Sequence, residues 1–284
     1  MKIHAIQTGT VALTTAWREG VGHGRRRLVH TMLDRHWTEP LPIYAFAIEH
    51  PEGVIVVDTG ETAAASQPGY FPRWHPIFRL AVRERVEREQ EIGPQLELLG
   101  IRPADVRLVA MTHLHTDHAG GLHHFPDTEI LVTRAEISYA AGLLGRLRGY
   151  PNGRWPGWFD PTAVDLRPEP YGPFPQSRRL TEAGDVILVP LPGHTPGHVG
   201  VIVEDGDRTV LLAGDSSYTQ AALLRGSVDG VGPDEAGQRA TQERIRAYAA
   251  AHPTVYLVAH DPETGARLNE RRVIPPNASA PAAR

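Results

Sequence analysis

The sequence contains no cysteine, and Lys2 is its only lysine. The chain can therefore form neither disulfide bonds nor thiolate metal ligands, and it has no cysteine nucleophile. The scarcity of lysine argues against Schiff-base catalysis. No stretch is apolar enough to predict a membrane span, and the segment from Met1 to Leu13 lacks the continuous apolar run of a signal peptide. These absences predict a cytoplasmic protein without a membrane partner.

The formal net charge of −4 gives no general attraction to nucleic acid, so none is expected as a partner. A chain of 284 residues can bury a large core. We predict one domain over residues 1–274, followed by a flexible, Pro- and Ala-rich tail over residues 275–284. The sequence leaves the oligomeric state open, a homodimer included.

Short runs rich in β-branched residues, bounded by turn residues, predict nine strands. Two of them flank a short loop ending in Gly53, which is typical of a hairpin. Segments with helical spacing lie between the later strands. The predicted strands are Ile3–Leu13, Ile43–Glu49, Val54–Asp58, Val106–Thr112, Glu129–Thr133, Val186–Leu191, Val199–Glu204, Thr209–Ala213 and Val255–Ala259. The predicted helices are Phe78–Glu91, Pro94–Leu99, Arg134–Leu144 and Glu235–Ala251.

This order of elements predicts an α+β fold, in which sheets pack face to face with helices outside. Two long stretches, residues 16–42 and 145–176, fit neither strands nor helices. Loops of this length are commonly covers over functional sites. Their aromatic residues favour segments that pack over a functional site. The alternative is that the same rings only pack on the surface of the hydrophobic core.

The most informative segment begins where the predicted strand Val106–Thr112 ends. Residues two apart in an extended chain share a face, so His113 and His115 can converge on one cation. After a turn, Asp117 and His118 can face a second cation. Four such residues within six positions are difficult to explain by packing, because buried His and Asp need partners.

Three further polar residues each follow an apolar run: His194, Asp215 and His260. A carboxylate can bridge two cations, so Asp215 is the natural bridging ligand. Imidazole and carboxylate suit zinc first, with iron, cobalt or manganese as alternatives. We predict two divalent transition-metal ions per chain. One would be held by His113, His115 and His194 and the other by Asp117, His118 and His260, with Asp215 and a water shared between them.

The motifs HLHTDH, GHTPGH, GDSSY and the final AH resemble those of the metallo-β-lactamase superfamily, from the early VVDTG to His260. The resemblance implies a four-layer αβ/βα sandwich and a metal-dependent hydrolase. It also implies that Asp58 supports the metal ligands through a hydrogen bond. The missing cysteine excludes β-lactamases of the thiol-containing subclass.

Tyr218 follows Asp215 by three residues, the spacing found in N-acyl homoserine lactonases. This similarity implies a quorum-quenching lactonase in which a metal-bridging hydroxide opens the lactone ring. Tyr218 would then stabilise the oxyanion, and Asp117 would pass a proton to the leaving alkoxide. Simple packing of Tyr218 is the alternative to this role.

Other functions stay open at this point. A glyoxalase-II-like thioesterase carries a comparable motif, although the Pro/Ala-rich C-terminal segment does not fit that enzyme's glutathione-binding region. A promiscuous aryl- or phosphotriesterase is a further alternative, and a metal-loaded binding protein is another. Redox diiron proteins replace one motif histidine by a carboxylate, whereas His115 is intact here.

Overall fold

The computed structural model describes residues 1–275, which form two compact units. The first unit comprises Met1–Thr14 and Met32–Val164, and the second comprises Thr15–Thr31 and the described residues from Asp165 onward. Each unit contains one β-sheet. Apart from Pro275, the predicted flexible tail lies outside the described residues.

The sheet of the first unit has seven strands in the order β4-β1-β2-β3-β5-β6-β7. The strands from β4 to β3 pair antiparallel, and those from β3 to β7 pair parallel. All residues of β2 except the last are buried, which explains why its sequence is continuously apolar. The strands are β1 (Lys2–Leu13), β2 (Leu41–Glu49), β3 (Val54–Val57), β4 (Val82–Arg85), β5 (Val106–Ala110), β6 (Glu129–Thr133) and β7 (Thr162–Val164).

The sheet of the second unit has five strands in the order β12-β11-β10-β9-β8. β11 and β12 are parallel, and the other neighbouring pairs are antiparallel. Consequently β9, β11 and β12 point in the same direction, and their carboxyl ends lie at one edge of the sheet. The strands are β8 (Arg178–Arg179), β9 (Val186–Pro190), β10 (Val199–Asp205), β11 (Arg208–Leu212) and β12 (Thr254–Leu257).

Most of the α-helices are short; the longest among residues 1–275 begins at an Asp234 side-chain cap on the N–H of Gly237. No helix in this described range is long and apolar enough to cross a membrane. The helices are α1 (Thr15–Arg18), α2 (Arg26–Leu33), α3 (Pro76–Leu80), α4 (Ile92–Leu98), α5 (Thr116–Ala119), α6 (Arg134–Ala140), α7 (Gly142–Leu147), α8 (Gln220–Arg225), α9 (Glu235–Ala251) and α10 (Thr264–Asn269).

The nine predicted strands are present, with ends that differ by no more than two residues. The predicted helix Phe78–Glu91 is wrong: α3 ends at Leu80, and β4 follows. In β4 the exposed Arg83 and Arg85 alternate with less exposed residues, so solvent exposure follows the two-residue period of a strand. Over the whole range Phe78–Glu91, the charged residues also recur at a spacing that is typical of an exposed helix.

The predicted helix Arg134–Leu144 is also corrected, because Ala141 has an extended backbone (φ −71°, ψ 152°) that separates α6 from α7. The expected cover segments contain regular structure, including α2 and β7. In the second segment Phe174 is fully buried in the core of the second unit. Trp155 and Phe159 pack against the core of the first unit, whereas Trp158 is 41% exposed.

Candidate metal centre

The first unit brings the four predicted ligands of the HLHTDH motif close together. His113 and His115 occupy the loop after β5, and Asp117 and His118 lie in α5. Nε2 of His113 lies 3.0 Å from Nδ1 of His115. The ring centroids of His113 and His118 are 4.0 Å apart, and Nε2 of His118 lies 4.0 Å from Oδ1 of Asp117. The motif therefore forms a compact cluster of imidazole and carboxylate donors.

Asp58 orients two of these histidines. It follows β3, and β5 is the parallel neighbour of that strand, so both strands end at the same edge. The Oδ2 atom accepts hydrogen bonds from Nδ1 of His118 and from Oγ1 of Thr112, each at 2.8 Å. Thr112 Oγ1 lies in turn 3.1 Å from Nδ1 of His113. Because Nδ1 of His118 is bound to Asp58, its Nε2 is the atom directed to the cluster.

Asp58 adopts this role in a left-handed backbone conformation, with φ of 60°. Aspartate tolerates this region better than most residues, and the cost is about 1–3 kcal/mol. Its other carboxylate oxygen accepts the Thr112 N–H at 2.7 Å. The left-handed turn is therefore held by the same carboxylate that orients the histidines.

Two glycines after the motif allow the backbone to approach closely. A Cβ at Gly121 would lie 2.3 Å from the backbone oxygen of Thr59, and one at Gly120 would lie 2.1 Å from Oε1 of Glu61. Either side chain would force backbone or a buried carboxyl group to move.

A buried pair of carboxyl groups, Glu61 and Glu84, lies beside the motif. Thr116 Oγ1 donates a hydrogen bond to Glu61, and the N–H of Thr62 donates another at 2.8 Å. Burial raises the pKa of Glu61 to about 8 and that of Glu84 well above its usual value, and the charge of Asp117 adds to both shifts. The raised pKa values favour the protonated form of both groups, which reduces the negative charge next to Asp117. The sequence gives no signal for this pair.

The second unit brings the other three predicted ligands together. His194, Asp215 and His260 follow the strands β9, β11 and β12, whose carboxyl ends share one edge. Nε2 of His194 and Nε2 of His260 lie 3.5 and 3.4 Å from Oδ2 of Asp215. All three side chains are almost completely buried. Asp215 is thus the residue on which both histidines of this unit converge.

His194 is oriented by a carboxylate that the sequence analysis did not identify. Oδ2 of Asp229 accepts a hydrogen bond from Nδ1 of His194 at 2.9 Å. Although burial opposes the shift, His194 and the N–H groups of Gly232 and Val231 hold the pKa of Asp229 below its usual value. The sequence signal is weak, because an Asp-Gly pair such as Asp229-Gly230 ordinarily predicts only a turn.

His198 has a structural role in the second unit. Its Nε2 accepts a hydrogen bond from the backbone N–H of Asp215 at 3.0 Å. This contact holds the turn that follows β11.

Tyr218 is buried and stacks on His260, with ring centroids 5.2 Å apart and planes 17° from parallel. Its hydroxyl oxygen accepts a hydrogen bond of 2.7 Å from the indole Nε1 of Trp17. No local sequence pattern indicates the role of Trp17, because 201 positions separate it from Tyr218.

The donors in each unit suit divalent transition metals. Imidazole nitrogens and carboxylate oxygens are typical ligands of zinc, iron, cobalt and manganese. In each unit a buried aspartate binds Nδ1 of one histidine and directs the opposite nitrogen toward the other donors. Metal-binding histidines in proteins are usually oriented in this way.

Comparison with known proteins places this arrangement in a family. Residues 38–260 match the model of the metallo-beta-lactamase superfamily. The chain therefore belongs to this superfamily.

The chain is also similar to individual proteins. It is 36% identical over 193 residues to a probable metallo-hydrolase of Mycobacterium tuberculosis, a match that covers 66% of this chain and 59% of the relative. It is 26% identical over 245 residues to the N-acyl homoserine lactonase AttM of Agrobacterium fabrum, covering 81% of this chain and 86% of that protein.

A solved structure shares the fold. It is an N-acyl homoserine lactone hydrolase with N-hexanoyl-L-homoserine bound at its catalytic metal center, with a TM-score of 0.73 and 22% identity. The similarity covers 96% of this chain and 97% of that one. The metallo-β-lactamase fold predicted from the motifs is thus confirmed.

Proposed function

We propose that this protein is a metal-dependent lactonase that opens the ester ring of N-acyl homoserine lactones. The observation that carries the proposal is the placement of Tyr218, stacked on His260 and oriented by Trp17. The name of the Agrobacterium relative supports this substrate class. The match spans only 59% of the length of the mycobacterial relative, whose name gives no substrate.

Two divalent cations, zinc being the first candidate, would be held by the seven predicted ligands: His113, His115, Asp117, His118, His194, Asp215 and His260. Bound cations of this kind lower the pKa of a water molecule and supply hydroxide near neutral pH. The count of seven donors, with one carboxylate available as a bridge, supports two ions rather than one.

Tyr218 would act on the carbonyl oxygen of the lactone. Its hydroxyl oxygen already accepts from Trp17, so its O–H is directed to another acceptor. A donor aimed at this oxygen gains strength as negative charge builds there, which selectively stabilises the transition state. Asp117 is half-buried within the motif. It would accept the proton of the attacking water and pass it to the ring oxygen as that oxygen leaves.

Metal analysis and a substrate panel test the proposal. Protein purified without chelator should contain close to two transition-metal ions per chain, and Asp215→Ala should lower the occupancy of both. Proton release should be fastest with N-hexanoyl homoserine lactone, compared with S-lactoylglutathione and a phosphotriester. A metal content near one that reloading does not change contradicts the dinuclear centre. A preference for the thioester favours the glyoxalase-II-like alternative.

A further inference from the structure

A second histidine–carboxylate cluster lies in the first unit and shares no residue with the seven predicted ligands. His123 and His124 end the 3₁₀ helix Gly120–His124, and Glu91 directly precedes α4. Nε2 of His123 and Nε2 of His124 lie 3.0 and 2.7 Å from Oε2 of Glu91. The potential ligand atoms of all three residues lie within 4.8 Å of one another.

The carboxylate of Glu91 is held in place from one side. Its Oε1 accepts hydrogen bonds from the N–H of Ala63 at 2.8 Å and from Oγ1 of Thr62 at 3.2 Å. Its side chain is only 10% exposed. The other oxygen, Oε2, is thereby fixed in the direction of both imidazoles.

The orientation of His123 leaves a lone pair facing this oxygen. Its Nδ1 lies 3.2 Å from the carbonyl oxygen of Gly120. A carbonyl oxygen only accepts, so Nδ1 carries the proton, and a neutral ring then presents its Nε2 lone pair to Glu91. Two electron-rich atoms 3.0 Å apart repel unless a proton or a metal ion lies between them.

Protonation of both imidazoles is an unfavourable way to relieve this repulsion. The rings of His123 and His124 have centroids 4.0 Å apart, so two imidazolium charges would repel each other.

We infer that Glu91, His123 and His124 bind one divalent transition-metal cation of the zinc class. Two imidazoles and a carboxylate are ligands that zinc, cobalt and nickel accept. Tetrahedral coordination at 2.0–2.1 Å places ligand atoms roughly 3.3 Å apart. The spacings of 3.0 and 2.7 Å between the two imidazoles and Glu91 therefore need to widen by about 0.3 and 0.6 Å. The His123 side chain is 45% exposed, which leaves room for water as the fourth ligand and for exchange of the ion.

Gly93 offers a way to disturb this site without removing a ligand. A Cβ at Gly93 would lie 2.4 Å from Nδ1 of His124, so the imidazole packs directly on the glycine. Gly93→Ala should displace that ring and weaken binding while all three ligands are retained.

Zinc titration of the full chain, followed by zinc-edge anomalous diffraction, tests the inference. The wild type should bind one zinc ion beyond those of the seven-ligand set, with an anomalous peak among Glu91, His123 and His124. His123→Gln alters an exposed side chain and should weaken this ion at least about tenfold, since even changes around metal ligands cost 10–100-fold. The matched control is His36→Gln, which removes another surface histidine paired with a carboxylate, Asp34, at 3.0 Å.

The position of the anomalous peak distinguishes the outcome for this cluster from the outcome for the lactonase proposal. A peak at Glu91, His123 and His124 supports the inference even if the seven predicted ligands bind a single ion. No peak there at saturating zinc overturns it. Equal zinc affinity in the wild type, His123→Gln and Gly93→Ala also overturns it, and circular dichroism of each variant confirms that the comparison is between folded proteins.

Discussion

The indole N–H of Trp17 donates a 2.7 Å hydrogen bond to the hydroxyl oxygen of Tyr218. Both residues belong to the second unit, although one lies in the short helix α1 and the other directly follows the Asp215 turn. The bond fixes which way the phenol points, and stacking on His260 fixes the plane of its ring. Two independent contacts thus hold Tyr218 in one orientation. This is expected of a group that acts on a substrate in one direction.

Replacing Tyr218 with phenylalanine should impair lactone hydrolysis and leave metal binding intact. The ring and its packing stay, and the lost hydroxyl is one of several contacts to the developing oxyanion. We expect a cost on the order of 1–3 kcal/mol, or about a five- to hundred-fold fall in kcat/KM on homoserine lactones. Steady-state kinetics and elemental analysis measure the two effects. Unchanged hydrolysis by Tyr218→Phe would remove the main support for the lactonase proposal.

Trp17→Phe tests whether the indole acts through Tyr218. Loss of one hydrogen bond of about 1 kcal/mol should lower kcat roughly fivefold, with a smaller effect on KM. In the Tyr218→Phe background the same substitution should have little further effect, because the bond no longer exists. A double-mutant cycle compares the four proteins. Additive losses would show that Trp17 only contributes packing.

Asp58→Asn should weaken metal binding without unfolding the first unit. Asparagine also tolerates the left-handed backbone of this position, but it is a poorer acceptor for His118 and Thr112. We expect metal affinity to fall about 10–100-fold, measured by competition with a chelator. Asp34→Asn, which alters an aspartate paired with the exposed His36, is the control and should bind metal like the wild type.

Trp158→Ala tests whether the predicted cover segment 145–176 contributes an acyl-binding channel. Trp158 is 41% exposed, whereas Trp155 and Phe159 pack against the core of the first unit, so loss of Trp158 should disturb the core least. Each buried methylene adds roughly 0.8 kcal/mol, about fourfold in affinity, so a channel should produce a trend across acyl-chain lengths that the variant flattens. Trp74→Ala, at an exposed tryptophan outside this segment, is the control. The same chain-length profile in wild type and variant would assign Trp158 to surface packing.

Glu235 should make folding stability depend on acid pH. Its carboxylate accepts hydrogen bonds from the Gly24 N–H at 2.9 Å, from His23 at 3.0 Å and from Arg239 at 3.0 Å. Although desolvation opposes the shift, these contacts lower the pKa of Glu235 from 4.5 to about 2. A lowered folded-state pKa means that the stabilisation is complete above about pH 4.5 and is lost as the pH falls toward 2.

Chemical denaturation of Glu235→Gln and the wild type across this pH range measures the effect. The variant should be less stable by about 1 kcal/mol at pH 6, a modest value because the group is accessible to solvent. The difference should shrink at pH 3. Glu243→Gln, at an exposed glutamate of the same helix α9, should show no such pH-dependent difference. A difference in stability between Glu235→Gln and the wild type that does not change with pH would contradict the lowered pKa of Glu235.

The strands of the site could be predicted because each is a short apolar run that ends in a polar ligand. The strands β5, β9, β11 and β12 all show this pattern, and their polar successors converge within each unit. Edge strands were harder to recognise. β4 carries charges on its exposed face, and its pairing with β1 is a long-range contact that no local pattern reveals.

The residues that support the ligands were only partly predictable. Asp58 is part of a recognisable motif, whereas Asp229 and Trp17 lie in segments without distinctive sequence features. Their roles depend on contacts across long sequence separations: 35 positions from Asp229 to His194 and 201 from Trp17 to Tyr218. Such pairs become evident only when the chain is folded.

The two pairs His118–Asp58 and His194–Asp229 also have an entropic consequence for metal affinity. Each imidazole is fixed by its aspartate during folding, so the loss of side-chain rotation is incurred before any cation arrives. In the proposed assignment the two histidines serve different cations, so each ion meets at least one ligand that is already immobile. When either ion is released, its histidine stays fixed by the aspartate and gains little side-chain entropy. Removal of the ions by a chelator should therefore gain little free energy from the rotation of His118 or His194.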